Sequence, residues 1–242
     1  MDKMEAAALT PRSRLLYEME QGLFAACDRL PPENELCLLL GVSRTQLRDS
    51  LSQLDREGFI SRCHGVGTLI NRHVLRLQTR MDIEVEFMDM IKSAGFTPQA
   101  RFLGAAVQQA GDLVAERLQL DPQAWCLYIS KLVLADQRPA IYCQDVIACQ
   151  NIRDRSYREE VFERPVFDFL RQYCGLIAMM DVTQLSAVSA DAQLAAWLQV
   201  PQGAPLLYMD EVDYDRDGRP ILYARQYYAD GIIKHSLVRK KF

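Results

Sequence analysis

The chain has 242 residues, of which 49% are hydrophobic and 25% charged, and its formal net charge at pH 7 is −4. This composition is typical of a globular protein with one or two domains, and the net negative charge argues against a protein that coats nucleic acid without sequence preference. No apolar run approaches the roughly 18 residues of a membrane span, and the charged start of the chain does not resemble a signal peptide, so we expect no membrane partner.

The cysteines and histidines predict neither a disulfide framework nor a metal site. The seven cysteines are odd in number and no two follow a CxxC spacing, which is typical of reduced thiols in a cytosolic protein. The histidines are His64, His73 and His235. We therefore expect a cytoplasmic protein with no cofactor and no metal.

Two helices are predicted before residue 41. Residues 12–24 have apolar side chains at helical spacing. After a proline pair, a second helix is predicted over 33–40, with acidic residues in its first turn, where the helix dipole favours negative charge. We expect its buried face to consist of Leu36, Leu39 and Leu40. Gly41 ends it, because glycine readily adopts the left-handed geometry of a helix terminus.

A third helix is predicted from Ser43, a favourable N-cap residue, to about Glu57. Its inner stripe is formed by Leu47, Leu51 and Leu54. Gly58 ends this helix, and strands at 59–63 and 68–71 flank a glycine-rich turn. Helix, tight turn, helix and hairpin is the order of a winged helix-turn-helix, which presents one helix to the major groove of DNA.

The polar start of the third helix carries side chains that can read DNA. Arg44 or Arg48 could grip guanine through O6 and N7, and Gln46 could read an adenine. Ser43 and Thr45 can bind phosphates at the positive end of the helix. An exposed arginine on a helix is usually only solvated, but the helices and the hairpin together favour DNA binding.

The hairpin and the charge distribution support the same prediction. The turn holds His64, Gly65 and Gly67, and glycine lets a backbone approach a sugar-phosphate chain closely because it has no side chain. Residues 43–73 carry five arginines against three acidic residues and form the net positive block of the sequence. This excess of positive charge is small, so it supports the prediction of DNA binding but is not sufficient for it.

The remainder predicts an α+β domain with a mainly antiparallel sheet. We place the first domain at 1–73, a linker at 74–81 and the second domain at 82–242. Helices are predicted at 82–94, 111–119, 165–173 (with Pro165 in its first turn) and 189–198, and strands at 100–108, 125–135, 138–148, 176–188, 205–214 and 220–228. Turn sequences between strands predict two long hairpins, and helices mixed with hairpins favour this fold class.

The segment LPPENEL…LGVSRTQLRDSLSQLDREGFISRCHGVGT resembles the DNA-binding domain of GntR-family transcriptional regulators. The resemblance covers about residues 12–71. It implies an operator-reading helix with Ser43, Arg44, Thr45, Gln46 and Arg48, and a wing with His64, Gly65 and Gly67. The family usually has an arginine where this chain has Asn34, so a phosphate or guanine contact is weakened or replaced there.

Residues 82–235 resemble the UTRA effector-binding domain of the HutC branch of that family, whose fold is like that of chorismate lyase. The matching segments are FMDMIKSAGFTP, LVLADQRPAIY, PVFDFLRQYCG and QGAPLLYMDEVDYDRDGRPILYARQYYAD. The resemblance implies a homodimer that binds double-stranded operator DNA and a small-molecule effector. Effector binding would shift the separation of the two DNA-binding domains.

The expected effector pocket departs from that of phosphosugar-binding members of the branch. Where those members share an Arg-x-Arg strand, an acidic residue, a serine and a glutamate, this chain has Lys131 and Val133, Cys143, Pro165 and Leu222. A phosphate needs several charge-assisted donors, so we do not expect a phosphosugar. The candidates for effector contact are Glu86, Lys131, Asp145, Phe167, Tyr223, Arg225 and Tyr228. The alternative is that these are ordinary solvated or core residues.

Three functions remain open at this point. The expected one is a ligand-responsive transcriptional regulator, a repressor released or retuned by a small metabolite, with no catalytic residue. The second is a chorismate-lyase-like enzyme fused to a DNA-binding domain, although no nucleophile–base pair supports it. The third is a DNA-binding protein whose second domain is vestigial and binds no ligand.

Overall fold

The computed structural model of the protein describes residues 10–63 and 65–240. The chain forms two compact units, Met1–Ile83 with Ser236–Phe242, and Glu84–His235. Within the described ranges, no helix combines the length and the apolar character needed to cross a membrane.

The first unit contains the predicted three helices and hairpin. Its elements are α1 Pro11–Glu20, α2 Glu33–Leu40, α3 Arg44–Arg56, β1 Ile60–Cys63, β2 Gly67–Ile70, α4 Arg72–Leu75 and β3 Thr79–Arg80. Strands β1 and β2 pair antiparallel. The core lies between α1 and α3, where Leu15, Met19, Leu47, Leu51 and Leu54 are each 0% exposed.

Local hydrogen bonds explain where α1 and α2 end. Helix α1 ends at Glu20 rather than near residue 24, because the Glu18 carboxylate accepts from the Leu23 backbone N–H at 2.7 Å and turns the chain. Helix α2 ends at Gly41, which has the predicted left-handed conformation with φ of 63°.

The predicted burial of Leu39 is wrong. Leu36 and Leu40 are 1% and 3% exposed, but Leu39 is 43% exposed and its neighbour Leu38 is 84% exposed. Each residue advances about 100° around a helix, since a turn takes about 3.6 residues. The i,i+4 pair Leu36 and Leu40 therefore faces the core, and Leu39 lies to one side of it.

The two units divide the chain differently from the boundaries expected at 73 and 82. Helix α4 and strand β3 lie in or across the expected linker 74–81, where Val74 and Thr79 are 5% and 2% exposed. Residues from Ser236 onwards return to the first unit, and Val238 packs against its core. Contacts between segments so distant in sequence leave no local pattern, so the sequence predicts a linker instead.

The second unit is built on a six-stranded antiparallel sheet in the order β4-β5-β6-β9-β8-β7. Its elements are α5 Phe87–Ser93, β4 Pro98–Gln109, α6 Gly111–Leu118, β5 Trp125–Ala135, β6 Arg138–Ala148, α7 Val166–Phe169, β7 Met180–Ser189, α8 Ala192–Leu198, β8 Pro205–Tyr214 and β9 Pro220–Ala229. The short β10, His235–Ser236, follows them and pairs with β3. The predicted hairpins β5–β6 and β8–β9 are confirmed by their registers.

Different elements cover the two faces of this sheet. Helices α6 and α8 pack on one face, against Tyr128 and Tyr142 among others. The segment that contains α7 packs on the other face, against Leu127 and Ile129. We call these the α6–α8 face and the α7 face. Because side chains alternate along a strand, the position of a residue in its strand decides which face it joins.

The predicted elements around α5 and α7 are shorter in the structure. The helix expected over 82–94 begins at Phe87, and the strand expected from 176 begins at Met180. The helix expected over 165–173 is the short α7 followed by a wider π-helical turn, Leu170–Cys174, and Pro165 occupies the N-cap rather than the first turn.

Candidate functional site

A reciprocal pair of hydrogen bonds fixes the start of α3. Ser43 Oγ accepts from the backbone N–H of Gln46 at 3.2 Å, and Gln46 Oε1 accepts from the backbone N–H of Ser43 at 3.1 Å. Ser43 Oγ also lies 2.9 Å from Gln46 Oε1. This capping box stabilises the leading end of the helix, so the side chains of Ser43 and Gln46 serve the helix itself.

The arginines beside this end differ in their partners. Arg44 is exposed, and no hydrogen bond or ion pair joins it to another described residue. Arg48 Nε and Arg62 Nη2 donate to the two oxygens of Glu33 at 2.9 and 3.0 Å. The hydrogen bond from Arg48 is the largest cause that holds the pKa of Glu33 below its usual value. One carboxylate on α2 thus orients an arginine of α3 and an arginine of β1.

The other predicted DNA-contacting residues are exposed where the structure describes them. Asn34 follows Glu33 on α2, and Thr45 lies in the first turn of α3. Gly65 and Gly67 form the tip of the hairpin with φ of 73° and 100°, a region that favours glycine. His64 lies outside the described residues.

Sequence reasoning missed two arginines at this surface. Arg62 lies on β1 and reaches Glu33, and Arg29 Nη1 donates to the backbone oxygen of Val66 at 3.0 Å, which holds the tip of the hairpin. The positive charge of residues 43–73 includes Arg62 and was the available signal for it. No local pattern brings Arg29 to the hairpin, because only the tertiary fold does so.

The seven predicted effector-binding residues do not come together at one site. Asp145 lies opposite Ala224, and Gln144 lies opposite Arg225, in the β6–β9 register. Neighbouring residues of a strand face opposite ways, so Asp145 belongs to the α7 face and Arg225 to the α6–α8 face. By the same alternation Lys131 and Tyr228 share the α7 face, whereas Tyr223 joins the core under α6.

The two predicted residues on the α6–α8 face are held by their own network. Tyr223 Oη donates to Asp210 Oδ2 at 2.8 Å, and Arg117 Nη2 lies 2.9 Å from Asp210 Oδ1. Arg225 donates to the side-chain oxygen of Gln144. The Tyr223 hydroxyl thus has a partner within the protein, whereas the buried Arg225 Nε has no hydrogen-bond partner among the described residues.

A buried ion pair lies on the α7 face. Lys131 Nζ is 3.1 Å from Asp145 Oδ2, with the side chains 5% and 2% exposed. Cys143 Sγ donates to Asp145 Oδ1 at 3.1 Å, and burial raises the pKa of that thiol well above its usual value. A buried thiol with a raised pKa is unreactive, which argues against redox sensing. Tyr228 Oη donates to Gln226 Oε1 at 2.6 Å.

A cavity of about 330 Å³ lies in the second unit beside α7. Its volume is at the small end of the roughly 300–1,000 Å³ found for small-molecule sites. Two predicted effector residues, Glu86 and Phe167, belong to its wall. The complete wall consists of Glu84, Glu86, Phe167, Arg171, Leu176, Ile177, Ala178, Met179, Met180, Asp181 and Asp213.

Carboxyl groups dominate the polar part of this wall. Asp213 is 1% exposed and its Oδ2 has no hydrogen-bond partner among the described residues. Burial and then the neighbouring Glu211 raise the pKa of Asp213 to about 9. Burial and then Asp181 raise the pKa of Glu84 to about 7. Thr183 Oγ1 is 2.7 Å from an oxygen of Asp181 and 3.1 Å from an oxygen of Glu211.

The acidic wall was not predicted from the sequence, although one signal for it existed. Residues 210–213 read Asp-Glu-Val-Asp in a strand that was predicted correctly. Alternation places Glu211 and Asp213 on one face of that strand. Glu84 and Asp181 come from other segments, and only the fold brings them alongside.

These observations define a class of protein: a winged helix-turn-helix unit combined with an α+β unit that contains a ligand-sized cavity. Residues 12–70 match the family described as "Bacterial regulatory proteins, gntR family", and residues 93–230 match the UTRA domain. The chain belongs to the gntR family of bacterial regulatory proteins and carries a UTRA domain. It is a transcription regulator and not an enzyme.

Named relatives agree with this family. The chain is 22% identical over 214 residues to the "Probable fructoselysine utilization operon transcriptional repressor" of Escherichia coli (strain K12), covering 88% of this chain and 86% of the relative. It is 24% identical over 199 residues to the "HTH-type transcriptional repressor NagR" of Bacillus subtilis (strain 168), covering 82% and 80%.

A solved structure has a similar fold along nearly the whole chain. The crystal structure of the "possible transcriptional regulator YydK" from Bacillus subtilis subsp. subtilis str. 168 matches with a TM-score of 0.78 and 17% identity, covering 96% of this chain and 100% of that one. At this identity the likeness concerns the fold alone.

Proposed function

We propose that this regulator is a cytoplasmic repressor that binds operator DNA as a homodimer and is released by a small-molecule effector. The observation that carries the DNA-binding part is the leading end of α3. It is exposed, it is fixed by a capping box, and it presents Arg44, which has no partner among the described residues, beside Arg48 and Arg62. The names of the two relatives, both repressors, support the sign of control.

In this proposal the arginines have different roles. Arg44 is available to bind guanine edges in the major groove. Arg48 and Arg62 share Glu33, so DNA phosphates would compete with a carboxylate for them. Thr45, Asn34 and the hairpin glycines would lie against the sugar-phosphate backbone, which orients the helix without reading sequence.

The homodimer follows from the expected operator symmetry and from an exposed apolar edge. A helix-turn-helix dimer binds two half-sites related by a two-fold axis. Strand β7 is an edge strand of the sheet, and its Met180, Val182 and Leu185 are 61%, 51% and 49% exposed. Exposed apolar side chains grouped on one edge are typical of an interaction surface.

The effector part of the proposal rests on the cavity beside α7. Glu86 and Phe167 are the predicted contacts that line it. Lys131, Asp145 and Tyr228 lie on the same face of the sheet, and in this proposal they form the layer of side chains beneath the cavity wall. An effector changes DNA binding only if it binds the DNA-competent and DNA-incompetent states with different affinity.

A gel-shift titration tests the DNA-binding part. Operator fragments are first selected from random duplexes with the full chain, and Arg44→Ala is then compared with the wild type. We expect the variant to lose about 1–3 kcal/mol of specific binding free energy. Asp112→Asn, an exposed substitution on α6, is the control and should bind as the wild type does. Unchanged affinity of Arg44→Ala would contradict the assignment of α3 as the reading helix.

A further inference from the structure

The cavity beside α7 has a charge that a phosphosugar-binding pocket would not have. Four carboxyl groups, from Glu84, Glu86, Asp181 and Asp213, line it against one guanidinium, that of Arg171. Arg171 is exposed and paired with Asp168 at 3.1 Å. Once ionised, this excess of carboxyl groups repels a phosphate and attracts a cation.

One of these carboxyl groups also lacks a partner that its burial demands. Asp213 is 1% exposed, and its Oδ2 has no hydrogen-bond partner among the described residues. A buried polar atom without a partner is costly, and native structures rarely leave one. Since Asp213 lies in the cavity wall, a donor that enters the cavity can supply the missing hydrogen bond.

The rest of the wall is apolar and limits the kind of cation. Phe167, Leu176, Ile177 and Met179 line the cavity together with the carboxyl groups. A hydrated inorganic ion would gain nothing from such side chains, whereas a hydrocarbon or aromatic body would be buried against them. Among the described residues, no group of three or more histidine, cysteine, aspartate or glutamate side chains is placed to hold a metal ion.

We propose that the effector of this regulator is a small organic cation, whose ammonium or amidinium group binds Asp213 and whose apolar body lies against Phe167 and Met179. This inference rests on the proposed function, because it names the chemistry of the effector. It also gives the cavity acids a role: the cation allows them to ionise, so binding releases protons to the solvent.

The proton release gives the proposal a signature beyond affinity. In the empty cavity the pKa values of Glu84 and Asp213 are raised to about 7 and about 9, so both groups retain protons near neutral pH. Other charged or titratable groups of this face are Lys131, Cys143, Asp145, Asp168, Arg171, Asp181, Glu86, Glu211 and Tyr228. A bound cation favours the ionised form of its neighbours, so affinity should rise between pH 6.5 and pH 8.5, where alkylammonium and guanidinium groups stay charged.

Calorimetric titration of the full chain tests the proposal with defined probes. The cations are 1,5-diaminopentane, agmatine, spermidine and phenethylamine. The neutral and anionic controls are 1,5-pentanediol, glutarate and glucose 6-phosphate, with MgCl₂ as the inorganic cation. We expect saturable binding of at least one organic cation, proton release measured in two buffers of different ionisation enthalpy, and no binding of its neutral isostere.

Two cavity variants and one control locate the binding. Asp213→Asn keeps the shape of the side chain and removes its charge, and we expect it to weaken the cation by about thirtyfold or more. Glu84→Gln provides the same test if Asp213→Asn does not fold. Asp112→Asn, which removes an exposed charge on α6, should leave the affinity unchanged.

Several results would overturn the inference. The first is that no organic cation of the panel binds, and the second is that glucose 6-phosphate binds instead. The third is that only Mg²⁺ stabilises the protein and that Asp213→Asn abolishes this effect. The fourth is that neither cavity variant changes the affinity for the cation. Operator binding is measured on the same preparation without any probe. If operator binding persists while the cations fail, the inference on effector chemistry is wrong and the proposed function stands. If specific operator binding is absent, the proposed function itself fails.

Discussion

The two units of this protein use charged residues in opposite ways. In the first unit the arginines that we propose to bind DNA lie at the surface, where Arg48 and Arg62 share the carboxylate of Glu33 in solvent-accessible ion pairs. In the second unit Lys131, Asp145 and Asp213 are each less than 5% exposed. Exposed pairs exchange partners at little cost, which suits binding to phosphates and bases. A buried charged group must be paired with an opposite charge or neutralised by a change in protonation. Its state therefore changes when the protein folds or when a ligand supplies the opposite charge.

The largest effect is expected from breaking the buried pair. Lys131→Met leaves Asp145 buried without its cation, and removal of one partner of such a pair costs about 3–5 kcal/mol. Urea denaturation of the full chain measures the change. Lys92→Met, which removes an exposed cation paired with Asp89 on α5, is the matched control and should change stability little. Equal stability of the two variants would show that burial of the Lys131–Asp145 pair adds nothing to its energetic role.

The next effect is a loss of stability as pH rises. The pKa values of Glu84, Glu211 and Asp213 are raised to about 7, 8 and 9, above the unfolded value of about 4. The folded chain therefore binds protons that the unfolded chain has lost, so this stabilisation is present at low pH and disappears as pH rises through the folded values. Between pH 6.5 and 8.5 we expect a loss of about 1–3 kcal/mol.

Asp213→Asn should reduce the slope of that pH dependence, since the amide carries no proton to lose. His235, whose pKa is lowered by burial, acts in the opposite direction mainly below its unfolded value of about 6.5, and the chosen window avoids it. Thermal unfolding at several pH values measures both proteins. A wild-type stability that rises with pH across this window would mean that the cavity acids are already ionised.

A smaller effect is expected at the start of α3. Ser43→Ala removes both hydrogen bonds of the capping box that involve the hydroxyl group, and loss of an N-cap costs about 1 kcal/mol. Ser43→Asp should retain the cap. Thermal unfolding of these variants beside Thr45→Ala, a neighbour in the same turn, separates capping from a general loss of polarity. If Ser43→Ala and Thr45→Ala behave alike, the box has no energetic role.

The smallest effect on stability is expected from Glu33→Gln, although its effect on DNA binding should be measurable. The substitution frees Arg48 and Arg62 from a carboxylate that both now share. Non-specific duplex binding should tighten, and its dependence on salt should steepen by about one counterion. Fluorescence anisotropy over a salt series measures this. Glu35→Gln, on the same helix, controls for the change in net charge, and an identical slope for both variants would rule out a specific role of Glu33.

Much of the fold could be predicted from the sequence because its signals are local. Ser43 and Gly58 mark the ends of α3, and the bounds of β5 and β6 on either side of their turn are as predicted. The position of α3 followed from these signals, and its proposed role in reading DNA followed from the resemblance to a known family. The ion pairs of its arginines could not be predicted, because Glu33, Arg48 and Arg62 meet only when two helices and a hairpin have packed together.

The effector site was less predictable because it depends on register. Arg225 and Asp145 were both predicted to contact the effector, and the β6–β9 register places them on opposite faces of the sheet. A shift of one residue exchanges the faces of an entire strand, and sequence alone does not fix how non-consecutive strands pair. The cavity acids Glu84, Asp181 and Asp213 were missed because they lie on segments far apart in the sequence, which only the fold brings together.

The sequence by itself determined the three helices and the hairpin of the first unit, the long strands of the second unit and the family, because caps, turns and apolar spacing act within a few residues of the chain. Only the tertiary structure decided that Leu39 is exposed, that residues after Ser236 return to the first unit, and that carboxyl groups from three separate segments line one cavity. These outcomes depend on which distant segments of the chain pack against one another and exclude water. Burial between those segments then shifts the pKa values of the carboxyl groups and so sets their protonation.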